Sequence, residues 1–176
     1  MTKKVCGNME KKMKVGFIGL GNVGSKLSGS LLRNKVDLYV HDLNSDLVQK
    51  FKGFGATIAN SPREMMNICD VVITCLPSPS ISASVMESSN GLLNSIKPGK
   101  VWMEMSTTDE AEVKRLGALV KNKGGETVDC PVSGGCHRAG TGNISIFAGC
   151  ERETFEFIFP LLKKMGRRIL HTGPLG

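Results

Sequence analysis

The chain has 176 residues, a length that fits one domain with its own hydrophobic core. Its 23 basic residues exceed its 16 acidic residues and give a formal charge of +7, but the basic residues are dispersed and aromatic residues are only 5% of the chain, which argues against a nucleic-acid-binding protein. Because no apolar run approaches about 20 residues, the sequence also predicts no membrane-spanning helix and no membrane partner.

The six cysteines do not follow a metal-binding or disulfide pattern. Neither Cys69 and Cys75 nor Cys130 and Cys136 have the two-residue spacing of a zinc site, so we expect reduced thiols and no metal. Residues 1–12 are polar and basic and predict a flexible extension ahead of a domain at 13–176. We expect a cytoplasmic protein, with an organelle such as the mitochondrion as the alternative, since a basic leader also fits residues 1–12.

The first half of the chain alternates short apolar runs with amphipathic stretches. KVGFIG, VDLYVHD, ATIA and DVVITCLP are predicted strands, and the last is apolar almost throughout, as expected for a strand covered on both faces. Residues 23–32 are predicted to be helical because apolar residues recur every fourth position. The run Ser61-Pro62-Arg63-Glu64 joins an N-cap serine, a proline at the first helical position and a capping-box glutamate, and predicts another helix start.

The second half continues the alternation. Predicted strands at VWMEMS, ETVDCPV, NISIFAG and RRILHTG are separated by predicted helices, one of them capped by Thr107 with Glu110 and another at 151–165 interrupted at Pro160. Strands that alternate with helices pair in parallel through right-handed crossovers. The pattern therefore predicts an α/β fold with a doubly wound, mostly parallel sheet and helices on both faces.

Between the first strand and helix lies a G-x-G-x-x-G motif. It consists of Gly19, Leu20, Gly21, Asn22, Val23 and Gly24. Gly19 permits a tight turn, Gly21 lets the backbone approach a pyrophosphate, and Gly24 allows close packing of helix and strand. The helix N-terminus adds N–H donors and a favourable dipole for the phosphates. These six residues are candidate dinucleotide-binding residues of a Rossmann-type fold; the alternative is a set of glycines that only form a turn.

Asp42 ends the second predicted strand, roughly 20 residues after the motif, where an acidic side chain accepts hydrogen bonds from the adenosine ribose. Its charge repels a 2′-phosphate, and no arginine stands beside it in the sequence. We therefore expect NAD rather than NADP. The alternative is a turn or capping aspartate ahead of Leu43, Asn44 and Ser45.

Six stretches resemble, in order, the cofactor-binding domain of the 3-hydroxyisobutyrate dehydrogenase family of β-hydroxyacid dehydrogenases. They are GFIGLGNVGSKLSGSLL, DVVITCLP, EMSTTD, DCPVSGG, GTGNISIFAGC and ILHTGPLG. The resemblance implies that Leu76 and Pro77 border the cofactor riboses and that Thr107 contacts the nicotinamide end. It also implies that the loop Ser133, Gly134 and Gly135 receives the carboxylate of a small 3-hydroxy acid.

The sequence departs from this family at several places, two of which concern the predicted site. Ile81 stands where the hydroxyisobutyrate branch carries an asparagine that touches the cofactor, which puts that contact in doubt. Cys136, His137 and Arg138 follow the glycine pair, where small residues are more common. Arg138 is either a solvated charge or a group that contacts a second anionic group of the substrate.

The resemblance further implies that the acid/base lysine lies beyond Gly176, after the motif that HTGPLG begins. An all-helical C-terminal domain, with which the family forms homo-oligomers, is expected to follow there as well. No catalytic residue is therefore expected among the 176 residues. We expect the cofactor domain of an NAD-dependent oxidoreductase that interconverts a 3-hydroxy acid and its semialdehyde, binding NAD without turnover by itself. The alternatives are a non-catalytic NAD-binding or interaction module and a relative of 6-phosphogluconate dehydrogenase.

Overall fold

A computed structural model describes residues 12–176, so the predicted extension at 1–12 lies, apart from Lys12, outside the described residues. The strands are β1 Lys14–Ile18, β2 Asp37–His41, β3 Thr57–Ile58, β4 Val71–Thr74, β5 Val101–Glu104, β6 Glu126–Asp129, β7 Val132–Ser133, β8 Ile144–Gly149 and β9 Gly166–Gly173. The helices are α1 Gly24–Arg33, α2 Ser45–Gly53, α3 Pro62–Ile68, α4 Pro79–Glu87, α5 Glu110–Asn122, α6 Gly135–Thr141 and α7 Arg152–Leu162, with a 3-10 turn at Leu92–Asn94.

The strands form one sheet in the order β3-β2-β1-β4-β5-β6-β8-β7, with β9 paired to β8. The strands from β1 to β6 pair in parallel. The strand order reverses between β1 and β4, and ligands of open α/β sheets bind outside the carboxyl ends of the strands at such a switch point. The predicted doubly wound, mostly parallel α/β fold is confirmed.

The last part of the sheet departs from simple alternation. The predicted strand ETVDCPV is divided into β6 and β7, with Cys130 and Pro131 between them. β8 runs antiparallel to both of these strands and parallel to β9. The β7–β8 pair therefore extends beyond the carboxyl end of β6, on the same edge of the sheet as the switch point.

Two apolar layers cover the sheet. One joins residues of β1 with α1, α2 and α7, and includes Phe17, Leu31 and Ile158. The other packs α3, α4 and α5 around the fully buried Trp102. Strands covered on both faces are buried at nearly every position, as β4 and β5 are. No helix within residues 12–176 is both long and apolar enough to cross a bilayer.

The helix ends confirm one predicted cap and correct two other predictions. The Ser61 hydroxyl accepts the N–H of Glu64 at 3.1 Å, as predicted. The predicted cap at Thr107 is wrong, because the Asp109 carboxylate accepts the N–H of Glu112 at 3.1 Å and α5 begins after it. The predicted interruption at Pro160 is also wrong. α7 continues through Pro160 to Leu162, since a proline this close to the helix end removes only one hydrogen bond.

Candidate functional site

A cleft of about 990 Å³ opens at the carboxyl ends of β1, β2, β4 and β5. This volume is at the upper end of the roughly 300–1,000 Å³ typical of cofactor and small-molecule sites. The predicted site residues that line it are Gly19, Gly21, Asn22, Val23, Gly24, Asp42, Leu76, Pro77, Thr107 and Gly135. The topology therefore brings the glycine motif, the end of β2 and the loops after β4 and β5 around one space.

Three predicted residues are placed elsewhere. The Leu20 side chain is buried in the core, and its N–H donates to Asp42 Oδ2 at 2.6 Å. Ser133 and Gly134 are not among the residues that line the cleft. Ser133 is exposed on the face of β7 opposite to Val132, which does line the cleft, because successive strand residues point to opposite faces.

The glycine motif shows three different steric requirements. Gly19 has φ +97°, and a Cβ there would overlap the carbonyl oxygen of Cys75. A Cβ at Gly24 would overlap the carbonyl oxygen of Gly19, so α1 approaches the turn more closely than any side chain allows. A Cβ at Gly21 would meet no heavy atom within 4 Å, so Gly21 presents bare backbone to the cleft.

The N-terminus of α1 offers unpaired donors to this space. Its N-cap residue Val23 provides no side-chain hydrogen bond, and no residue within 12–176 accepts the N–H groups of Asn22, Val23 or Gly24. The next N–H, that of Ser25, donates to the Gly21 carbonyl at 2.9 Å. Adjacent open N–H groups at the positive end of a helix dipole suit a phosphate group, so these residues fit a dinucleotide pyrophosphate.

Asp42 holds the turn and also faces the cleft. Its Oδ2 accepts the Leu20 N–H at 2.6 Å, and its Oδ1 accepts the Asn44 N–H at 2.8 Å. Asn44, not Asp42, caps α2 through the N–H groups of Asp46 and Leu47. Each carboxylate oxygen keeps further acceptor capacity, so the turn role does not exclude hydrogen bonds from a ribose. Within the described part of the chain, no lysine or arginine lines the cleft.

A buried carboxyl group behind the cleft escaped the sequence reasoning. Glu104 is 1% exposed, and its Oε1 accepts both the N–H of Ser106 at 2.9 Å and the Ser106 hydroxyl. Ser106 Oγ in turn accepts the Leu76 N–H at 2.7 Å, which ties the loop after β4 to the loop after β5. Burial raises the pKa of the Glu104 carboxyl, and the hydrogen bonds from Ser106 oppose that rise. The only sequence signal was a glutamate inside an otherwise apolar strand.

Helix α4 supplies a wall of which the sequence reasoning identified only Ile81. The cleft is lined by Ile81, Ser84 and Val85 of this helix and by Ser88, the residue that follows it. Ile81 is 41% exposed and presents apolar surface where the family resemblance implied an amide contact. The α4 side of the cleft is therefore suited to packing against a flat or apolar part of a ligand.

The five cysteines within residues 12–176 belong to no metal-binding group. Among residues 12–176 no group of histidine, cysteine or acidic side chains is arranged to hold a metal ion, and the described cysteines are free. Cys75 lines the cleft, and burial, followed by the nearby Glu104, raises the pKa of its thiol to about 12. Cys75 is therefore a neutral thiol at neutral pH.

Comparison with known proteins gives both a family and close structural similarity. A family model described as the NAD binding domain of 6-phosphogluconate dehydrogenase matches residues 14–173. The mitochondrial 3-hydroxyisobutyrate dehydrogenase of Mus musculus is 35% identical over 173 residues, which are 98% of this chain and 52% of the mouse protein. The chain spans about half the length of the curated relatives it matches.

Two solved structures show the same fold. The Mycobacterium tuberculosis 3-hydroxyisobutyrate dehydrogenase with L-serine superimposes with a TM-score of 0.87 and 25% identity, covering 94% of this chain and 56% of that one. Psf3 in complex with NADP+ and 2-OPP gives a TM-score of 0.87 and 25% identity, covering 92% and 57%. The chain belongs to the family of NAD-binding domains of the 6-phosphogluconate dehydrogenase type and is similar to those of 3-hydroxyisobutyrate dehydrogenases.

Proposed function

We propose that the chain binds NAD in the cleft at the β1/β4 switch point and is the cofactor half of a β-hydroxyacid dehydrogenase. The observation that carries this proposal is the set of open N–H groups of Asn22, Val23 and Gly24 at the start of α1. These donors receive the pyrophosphate. Asp42 receives the adenosine ribose, Leu76 and Pro77 border the two cofactor riboses, and Thr107 lies at the nicotinamide end.

The charge around the cleft favours NAD over NADP. Asp42 repels a 2′-phosphate, and among the described residues that line the cleft none is a cation that offsets this repulsion. Leu43, beside Asp42, is 98% exposed and offers no polar group to a phosphate. A similar structure contains NADP+, so the preference rests on these side chains of this chain and not on the family.

The substrate in this proposal is a small 3-hydroxy acid whose carboxylate meets the Ser133-Gly134-Gly135 loop. Gly134 and Gly135 have φ values of +131° and +75°, conformations that favour glycine. Gly135 lines the cofactor cleft while Ser133 is exposed beside it. The loop therefore lies at the border between a bound cofactor and a molecule placed next to it.

Nicotinamide supplies the hydride acceptor of such a reaction, and the protein supplies the group that takes the hydroxyl proton. No lysine among the described residues lines the cleft. Among the described residues, His41 is the one histidine that lines the cleft, and its Nδ1 is hydrogen-bonded to the Ala59 carbonyl at 2.9 Å, beside Asp42 at the adenosine end. The acid/base lysine expected beyond Gly176 stays a prediction. We therefore propose that these 176 residues bind NAD and do not turn over a substrate by themselves.

Backbone amide NMR during an NAD titration tests the binding mode. We expect the largest shift changes at residues 21–24 and at Asp42 and Thr107, with none at the amides of α5. Shift changes absent from 21–24 would contradict the proposed pyrophosphate site. In parallel, the purified chain is incubated with NAD and 3-hydroxyisobutyrate or L-serine. Robust NADH formation would contradict the absence of turnover without affecting the binding proposal.

A further inference from the structure

A second concave region of the same edge of the sheet is lined by arginines. A cavity of about 470 Å³ is bordered by Arg138, Asn143, Ser145, Arg167 and Arg168. Within residues 12–176 no carboxylate borders it, and none of the three guanidinium groups has a hydrogen bond or an ion pair. In contrast, Arg115 binds the carboxylates of Glu87 and Glu112.

The backbone explains why these side chains meet. Ile144 pairs with Gly166 and Ser145 pairs with Arg168, so Arg167 is an extra residue of β9 in a β-bulge. Bulges redirect side chains and are common beside functional sites. The third arginine comes from α6, where Arg138 packs over Gly134. A Cβ at Gly134 would lie 2.9 Å from Arg138 Cδ, so the glycine makes room for this side chain.

Strand pairing places the arginine cavity next to the loop assigned to the substrate carboxylate. Ser133 of β7 pairs with Ser145 of β8, and Ser145 pairs with Arg168 of β9. Directly paired residues point to the same face, so these three side chains form one row. Neighbouring strands are about 4.8 Å apart, which puts the backbones of Ser133 and Arg168 roughly 10 Å apart. An extended arginine side chain spans much of that distance.

Three guanidinium groups beside one cavity repel one another unless an anion lies between them. Arginine binds carboxylate and phosphate groups through two parallel hydrogen bonds, and Asn143 and Ser145 add neutral donors. We propose that this cavity binds the second anionic group of a dianionic hydroxy acid whose first carboxylate lies at Ser133–Gly135. This inference rests on the proposed function, because it assumes that the loop receives a substrate carboxylate.

Calorimetric titration of the 176-residue chain with NAD present tests the proposal. The probes are glutarate, with two carboxylates, butyrate, with one, and inorganic phosphate, all in about 0.15 M salt so that surface charges are screened. We expect glutarate to bind about 10- to 100-fold more tightly than butyrate, the range for charge-assisted hydrogen bonds to one further carboxylate.

Two double variants that remove the same charge distinguish an effect of the cavity from an effect of the overall positive charge of the chain. Arg167→Gln with Arg168→Gln should bring glutarate to the affinity of butyrate and leave butyrate unchanged. Lys121→Gln with Lys123→Gln removes the same charge from exposed residues at the end of α5 and should retain the preference for glutarate. Ser133→Ala should weaken both anions. Circular dichroism melting verifies that each variant folds.

The proposal would be overturned by equal affinity of the wild-type chain for glutarate and butyrate, or by a preference for glutarate that survives the arginine substitutions. It would also be overturned if glutarate did not bind at about 50 mM, a concentration that detects even sites of millimolar affinity. Phosphate binding that matches glutarate and is insensitive to Ser133→Ala would show a site for a free oxyanion and also contradict the assignment. NAD affinity is measured separately, so failure of cofactor binding is distinguished from failure of the arginine cavity.

Discussion

The cofactor cleft and the arginine cavity lie at the same edge of the sheet but differ in the groups that they offer to an anion. In the described residues no lysine or arginine lines the cleft, and its donors are backbone N–H groups at the start of α1. Over the same part of the chain, the cavity has three guanidinium groups on α6 and β9 and no acidic side chain. One region is adapted to an anion by backbone geometry, and the other by charge.

This difference determines how each region should respond to change. A backbone site depends on the absence of side chains, because Cβ atoms at Gly19 or Gly24 would overlap backbone carbonyl oxygens. Flexible, exposed arginines tolerate substitution without loss of the fold. We therefore expect the cleft to be destroyed by small steric changes and the cavity to be weakened gradually by loss of charge.

The largest effect is expected for Gly24→Ala. The added methyl group would overlap the Gly19 carbonyl oxygen, so α1 must move away from the turn proposed to bind the phosphates. We expect NAD affinity to fall more than about 100-fold and the free energy of unfolding to fall by about 1–3 kcal/mol, as for other steric overlaps in a core. Calorimetry and urea unfolding measure these changes.

Gly29→Ala is the matched control in the same helix. A Cβ at Gly29 would touch only the flexible Arg33 side chain, at 3.4 Å from Nη1. Its helix propensity should stabilise the chain by about 0.5–1 kcal/mol and leave NAD binding unchanged. Similar behaviour of the two variants would show that the close approach at Gly24 is not required.

Asp42→Asn should have the next largest effect. The variant loses the negative charge and one of the two acceptors that hold Leu20 and Asn44. We expect NAD to bind about 10-fold more weakly, and NADP to lose less affinity or to gain some. The ratio of the dissociation constant of NADP to that of NAD should therefore fall. Asp46→Asn, an exposed change of the same charge nearby, should leave that ratio unchanged. An unchanged ratio in Asp42→Asn would exclude Asp42 as the discriminating group.

A smaller effect is expected from a rise in salt concentration, which should weaken anion binding in the arginine cavity more than NAD binding in the cleft. Exposed guanidinium groups are screened by added ions, whereas N–H groups fixed at a helix terminus act mainly through short hydrogen bonds. We expect the affinity for glutarate to fall more than the affinity for NAD between about 0.05 and about 0.5 M sodium chloride. Equal salt dependence would contradict the distinction between a geometric and an ionic site.

The smallest effect concerns the carboxyl group that supports the cleft. Because burial raises the pKa of Glu104 above its ordinary value of 4.5, the folded state favours the protonated form. The free energy of unfolding should therefore fall as the pH rises from about 4.5 through the folded-state pKa. Glu104→Gln keeps an acceptor for Ser106 and cannot ionise, so its stability relative to the wild type should increase between pH 5 and pH 8.

Urea unfolding at these two pH values measures that difference. Asp129 is present in both proteins, and its pKa is raised by burial and then by the charge of Glu104, so its coupling to Glu104 adds to the difference in the same direction. Glu153→Gln, at an exposed position of α7, is the control and should follow the wild type at both pH values. A pH dependence of Glu104→Gln identical to that of the wild type would show that Glu104 does not ionise differently on folding.

The cofactor cleft was largely predictable from the sequence because its signals are local. The glycine motif lies between a strand and a helix that follow from short apolar patterns, and Asp42 comes at the end of the next strand. The regular geometry of a βαβ unit then fixes where these residues meet. The loops after β4 and β5 were located only through the family resemblance, and both border the cleft.

The arginine cavity was not predictable in this way. Arg138 and the pair Arg167 and Arg168 meet through α6, a short helix with little helical signal in its sequence, and through a bulge in the β8–β9 pairing. The buried Glu104 is similarly hidden, because a charged residue in an apolar strand gives no indication of its partner Ser106. Contacts that depend on strand register and side-chain direction leave no local pattern in the sequence.

The central claim is that the cleft selects NAD through backbone donors at α1 and the carboxylate of Asp42. Calorimetric titration of the purified 176-residue chain with NAD and with NADP tests it most directly. We predict saturable binding of NAD and at least about 10-fold weaker binding of NADP, the cost of placing a phosphate beside an uncompensated carboxylate. Tighter binding of NADP, or no binding of NAD, would contradict the account.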